Sequence, residues 1–132
     1  MIRPSHKELS GKLRKAVELL KAGKVMYCDN NKVTREHLEL TQLGFDIEDI
    51  PALIENFIGE ILNGNVQRSY EQANGKYPPT SSFEPQANGK ELWPFCWSSN
   101  YSNFRGKDMY LKFVLCEDYY LYLSLHEDNK GD

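Results

Sequence analysis

Four side chains in the second half of the chain are of the types that phosphodiester chemistry needs: Arg68, Tyr110, Lys112 and His126. Cleaving an RNA strand without a metal takes a base for the 2′-hydroxyl proton, a cation for the crowded phosphorane and an acid for the leaving 5′-oxygen. A free imidazole titrates near neutrality, so His126 could give or take a proton. Lys112 and Arg68 can hold a phosphate, Arg with a two-pronged grip. Tyr110 can hydrogen-bond the phosphate or the imidazole, and neighbouring Tyr and Trp rings can stack on unpaired bases.

These residues need a framework that brings them together, and the last hairpin supplies one. Met109 to Cys116 and Tyr120 to His126 both alternate as strands do. A two-residue loop at Glu117-Asp118 pairs Val114 with Leu121 and Tyr110 with Leu125, and sets Lys112 among leucines. A three-residue loop, Glu117-Asp118-Tyr119, pairs Cys116 with Tyr120 and Tyr110 with His126. Leu111, Phe113 and Leu115 then share a dry face with Leu121, Leu123 and Leu125, while Tyr110, Lys112, Tyr122, Ser124 and His126 share the other. Burying six large apolar side chains at about 1.5–3 kcal/mol each favours the second register.

The first half reads as helical. Ser5-His6-Lys7-Glu8 has the form of a capping box, Leu9, Leu13, Val17 and Leu20 recur at helical spacing, and Gly23 stops the run. Val25 to Cys28 reads as a short strand ending in the turn Asp29-Asn30-Asn31. Thr34 caps a second helix through Leu43, closed by Gly44. Asp46 opens a third, with Pro51 in its first turn and a broad apolar stripe of Ile50, Leu53, Ile54, Phe57, Ile58 and Ile61, which ends at Asn63-Gly64. Val66, Arg68 and Tyr70 then alternate as a strand. Residues 72–91, rich in Gly, Pro, Asn and Ser, read as a flexible loop insertion. Leu92 to Trp97 reads as a strand at an edge or bulge, because Pro94 lacks a ladder donor. The expectation is one α+β domain over residues 1–132, with N-terminal helices packed on one face of a C-terminal antiparallel sheet.

Composition narrows the function classes. At 132 residues and 40% hydrophobic, the chain can bury a core without disulfides or a structural metal. Three cysteines in unpaired positions and no signal-peptide pattern point to a reducing cytoplasm. No apolar run approaches the roughly 18 residues of a membrane span. The net charge of −3 is uneven. Residues 1–25 carry seven Lys/Arg against two Glu, residues 26–62 two basic against eight acidic groups, and residues 63–112 six basic against four acidic. Such a layout can leave one positive face for RNA or simply a mixed solvated surface. Phosphate-binding glycine loops and metal-ligand spacings are absent, so no cofactor or metal is expected. A Cys96 or Cys116 thiol paired with His126 is a further nucleophilic option, although Cys116 among apolar neighbours reads as core filler.

Four segments, in order, carry a resemblance to a known family: Leu20-Lys21-Ala22-Gly23-Lys24-Val25, Leu43-Gly44-Phe45-Asp46, Val66-Gln67-Arg68-Ser69-Tyr70, and Met109-Tyr110-Leu111-Lys112-Phe113 with Ser124-Leu125-His126-Glu127. Over nearly its whole length the chain resembles the motility quorum-sensing regulator toxins, mRNA interferases of RelE-like fold. The resemblance implies a toxin of a toxin–antitoxin pair. It would cut single-stranded mRNA in the cytoplasm without cofactor and be held in check by a cognate antitoxin, with no membrane and no direct DNA contact. The family's Lys after the long helix falls on Arg68, its Tyr on Tyr110 and its last-strand Lys on His126. Its Gln has no counterpart, since Pro94 follows Trp93 and Ser98 follows Trp97. The other expectation is a binding module of the same fold that recognises RNA or a protein without cleaving.

Overall fold

The computed structural model describes residues 6–69, 80, 82 and 84–128, with the side chains of residues 6 and 64–69 undescribed. Ser5, Tyr70 and most of 72–83 lie outside that set. The elements are α1 (His6–Lys21), β1 (Val25–Tyr27), α2 (Asn31–Gln42), α3 (Ile50–Glu60), β2 (Val66–Ser69), β3 (Trp93–Ser98), β4 (Asp108–Leu115) and β5 (Tyr120–Glu127). Among the described residues no helix is long and apolar enough to cross a membrane.

Local chemistry explains the helix boundaries. Gly23 and Gly44 follow α1 and α2 with positive φ, the left-handed conformation that only glycine adopts without strain. The N-cap of α2 is Asn30, not Thr34. The Asn30 side chain accepts from the Val33 amide at 2.8 Å, so the helix begins at Asn31. The short amide of Asn30 reaches the third helical N–H, while the Thr34 hydroxyl donates back to the Asn30 carbonyl at 3.1 Å. A 3₁₀ turn, Ile47–Asp49, precedes α3, and a π turn, Ile61–Asn65, leads from α3 into β2.

The α+β arrangement expected from the sequence is present, but the sheet is mixed. Among the described residues its five strands run in the order β1-β5-β4-β3-β2, and β1 lies parallel to β5. All other pairs are antiparallel. β3 is an interior strand, not an edge. Pro94 is accommodated opposite Lys112, one residue beyond the last described β2–β3 pair, Ser69 with Phe95.

The hairpin uses both registers. From Met109↔Glu127 to Lys112↔Ser124 it follows the pairing that places Tyr110 opposite His126. A bulge then shifts it, and Phe113↔Tyr122, Val114↔Leu121 and Leu115↔Tyr120 follow the pairing of the shorter loop. Leu123 is the extra residue, and side-chain parity inverts across it. Tyr120 and Tyr122 therefore join Phe113 on the helix-covered face rather than Tyr110 on the other. The Phe113 and Tyr120 rings stack at 5.0 Å.

The helix-covered face carries Trp93, Phe95, Trp97, Met109, Leu111, Phe113 and Leu125, all buried. Phe57 of α3 meets the Trp97 ring at 5.2 Å, and Lys12 of α1 sits over Trp93. The apolar stripe of α3 is core, as its width predicts. Glu60 at the end of α3 ties the β3–β4 connection down. Its Oε1 accepts from Trp97 Nε1 at 3.0 Å and Ser99 Oγ at 2.9 Å, and its Oε2 accepts from the Asn100 amide at 2.7 Å.

Candidate functional site

The face turned away from α1 and α3 gathers the residues singled out in the sequence. Arg68 is registered with Cys96, Cys96 with Tyr110, and Tyr110 with His126, so four strands contribute one position each to a single cross-sheet row. The next row runs Pro94, Lys112, Ser124. For Arg68 only the backbone position is described. Tyr110 and His126 are both half-buried, with ring centroids 5.2 Å apart at 34°. His126 Nδ1 lies 2.7 Å from the Glu127 carbonyl, so with Nδ1 protonated the other ring nitrogen is the acceptor. Cys96 fills the row between Arg68 and Tyr110, and its thiol donates to Asp128 Oδ2 at 3.4 Å.

Lys112 is half-buried. Burial pushes its ammonium below the ordinary lysine range, and the nearby Lys32 charge acts in the same direction. Glu36, Cys28 and Glu84 oppose them. The described part of the 72–91 stretch adds the Glu84 charge to these surroundings. Residues 84–90 form a turn whose Ala87 is fully buried, and Asn30 Nδ2 donates to Glu84 Oε1 at 2.6 Å. Cys28 is also buried, and desolvation followed by the Glu84 charge pushes its thiol up to about 11. A thiol held in that state is a poor nucleophile. Cys116, half-buried, donates its amide N–H to the Tyr119 carbonyl at 2.9 Å at the hairpin turn. Neither cysteine is brought to His126 in the sheet register.

Sequence reasoning missed the contribution of α2. β1 is registered with Tyr120–Tyr122, and α2 packs against β5. There Glu36, only 4% exposed, accepts on Oε1 from the Leu125 amide at 2.9 Å and from the Tyr122 hydroxyl at 2.8 Å. Its Oε2 is buried without a hydrogen-bond partner among the described residues. Burial raises the Glu36 carboxyl above the usual carboxylate range, against the pull of the Leu125 N–H, the Tyr122 hydroxyl, His126 and Lys32. Burial and the Glu36 carboxylate in turn push the Tyr122 phenol far up. Lys32 Nζ donates to Ser124 Oγ at 2.6 Å, which brings a second cation to the open face. A signal for Glu36 was present: Val33, Glu36 and Leu40 occupy the buried stripe of α2, so a carboxylate stands at a core position of an amphipathic helix.

Two clefts meet at His126. One, of about 230 Å³, has an apolar floor that includes Leu40, Phe104, Met109 and Leu125, with Glu36 and His126 at its side. The other, of about 420 Å³, is lined by Lys32, Arg35, Glu36, Glu39, His126 and Glu127. No group of three His, Cys, Asp or Glu among the described residues could hold a metal ion. Comparison with known proteins returned no matching family model, no matching curated protein and no matching solved structure.

Proposed function

We propose that this protein is a metal-independent endoribonuclease that cleaves single-stranded mRNA, acting as the toxin of a toxin–antitoxin pair in the cytoplasm and restrained by a cognate antitoxin. The observation that carries the reading is the direct opposition of the half-exposed Tyr110 and His126 rings, 5.2 Å apart, on a row that includes the Arg68 backbone position. In this reading His126 transfers a proton and Tyr110 hydrogen-bonds the phosphate or steadies the imidazole. Lys112 and Arg68 stabilise the charge that builds on phosphorus. The partly desolvated Lys112 makes each such contact stronger than it would be in water.

The test is incubation of the purified protein with a long, unstructured RNA in EDTA, beside a His126→Ala/Tyr110→Phe double variant checked for folding by circular dichroism. The native protein fragments the RNA, and the variant loses at least the roughly 10²–10⁴-fold that one general acid–base group contributes. Intact RNA after incubation with folded native protein refutes the nuclease reading. The acidic Asp128 on the thiol of Cys96, in the row where a phosphate would lie, favours a second reading: a binding module without cleavage. RNA binding that weakens steeply with salt, with no cut strands, would select it.

A further inference from the structure

A transesterification needs two proton carriers, and His126 is only one. The second cleft gathers the missing parts: Lys32, Arg35, Glu36, Glu39, His126 and Glu127 line one space of about 420 Å³. We propose that this α2–β5 cleft is the reaction centre and that Glu36 is a catalytic residue, the base that works with His126 as the acid. The inference rests on the nuclease reading above and adds to it a residue, a division of roles and a place for the phosphate.

Three observations carry it. First, Glu36 is held by one oxygen and free at the other. Oε1 is fixed by the Leu125 amide and the Tyr122 hydroxyl, while the buried Oε2 has no partner among the described residues. An unpartnered carboxylate oxygen at a 4% exposed residue costs free energy that a purely structural role does not recover. Second, Glu36 and His126 border both clefts, and Glu36 bonds the residue adjacent to His126 on β5. Third, Lys32 lies four residues before Glu36 on α2, where helical spacing sets the cation beside the carboxylate, and Arg35, three residues after Lys32, lines the same cleft. Arg35 is exposed and can meet a phosphate in two-pronged fashion.

The chemistry balances. The Glu36 carboxylate takes the proton of a ribose 2′-hydroxyl, and O2′ attacks phosphorus. The P–O5′ bond breaks, and the His126 imidazolium gives its proton to O5′. The products are a 2′,3′-cyclic phosphate and a 5′-hydroxyl, leaving Glu36 protonated and His126 neutral. Exchange with water restores both. No oxidant, reductant or second reactant enters. The charged and titratable groups facing Glu36 are Lys32, Arg35 and Glu39 on its own helix and Tyr122, His126 and Glu127 on β5. Burial outweighs the groups that favour the carboxylate, so its proton is held more tightly than in a free glutamate. A base of raised proton affinity is the more effective one near neutral pH.

Single-turnover cleavage of RNA in EDTA, from pH about 5 to about 9, with the new ends identified by mass, tests this on native protein, Glu36→Gln, Glu36→Asp and Arg35→Ala. The native protein leaves cyclic phosphate ends and loses activity toward acid pH. Glu36→Gln keeps an acceptor for Leu125 and Tyr122, falls roughly 10²–10⁴-fold in kcat and loses that acid limb, while Glu36→Asp recovers part of the rate. Arg35→Ala, an exposed substitution that spares the core, lowers kcat/KM and decides the matter even if the Glu36 variants unfold. Native cleavage that is lost in the His126→Ala/Tyr110→Phe variant but unchanged in folded Glu36→Gln, or unchanged in Arg35→Ala, overturns this inference and leaves the nuclease reading standing. Absence of cleavage by native protein overturns both.

Discussion

Glu60→Ala removes the group that fastens the β3–β4 connection to α3, and the cost can be worked from the geometry. Three donors converge on this carboxylate: the Trp97 indole at 3.0 Å, the Ser99 hydroxyl at 2.9 Å and the Asn100 amide at 2.7 Å. Trp97 and Ser99 are both 0% exposed, so water cannot replace the lost acceptor. Each stranded donor costs about 1–3 kcal/mol. Asn100 is exposed, and water satisfies its amide at little cost. The expected loss is about 3 kcal/mol, a large share of the ~5–15 kcal/mol that holds a domain of this size together.

The geometry also predicts an asymmetry. Both buried donors land on the same oxygen, Oε1. Glu60→Gln can orient its single carbonyl oxygen toward both and turn its NH₂ group toward the exposed Asn100 amide, so it costs about 1 kcal/mol or less. Urea unfolding followed by the fluorescence of Trp93 and Trp97 measures both variants, with an unchanged slope as the sign that only stability moved. Equal losses for the Ala and Gln variants, or an Ala loss below about 1 kcal/mol, would refute the reasoning that the two sealed donors depend on Oε1.

Asn30→Ala should cost about 1 kcal/mol by thermal unfolding through loss of the α2 cap, whereas Asn30→Asp keeps the cap acceptor but sets a carboxylate against Glu84, which Asn30 now contacts at 2.6 Å. The Asp variant should therefore gain stability as salt screens that repulsion, and the Ala variant should not. His37 is packed between Tyr27 and Tyr122 at 5.0 Å from each, and burial lowers its proton affinity. The unfolded chain binds this proton more readily, so stability attributable to His37 is full above pH about 6.5 and falls as pH drops below it. Glu36, raised instead of lowered, has the opposite slope, so the comparison to make is native protein against His37→Phe: the variant should show a flatter decline between neutral and mildly acidic pH.

Periodicity made the elements legible because it depends only on neighbours along the chain. The apolar stripe of α3 and the alternation in β4 and β5 need no knowledge of what packs on them. Tyr110 facing His126 was legible for the same reason, since matching two apolar faces constrains the register. Contacts across elements were not legible. Glu36 on Leu125 spans 89 residues of sequence, and Glu60 on Asn100 spans 40. Nothing local in either sequence says which strand end the helix will meet. Asn30 and Thr34 are both residue types that cap helices, and only the backbone shows that it is the Asn30 side chain that reaches the Val33 amide.

The bulge at Leu123 is where fold and candidate site meet. In the short-loop register continued without a break, Tyr110 would face Leu125, and Ser124 and His126 would follow Tyr120 and Tyr122 onto the face packed against the helices. That arrangement would bury an imidazole and expose a leucine. In the long-loop register continued without a break, Tyr120 and Tyr122 would leave the core, and the Tyr122 hydroxyl would lose Glu36. One extra residue resolves the conflict: it keeps Tyr120 and Tyr122 inside near the turn and Leu125 inside beyond it, while Ser124, itself buried, and the half-buried His126 lie on the opposite face with Lys112 and Tyr110. Leu123 is itself buried, so the inserted residue contributes to the core instead of costing an exposed apolar side chain. The same shift presents the Leu125 amide to Glu36 at the strand edge beyond β1. A single bulge therefore sets both the face on which His126 lies and the carboxylate that neighbours it.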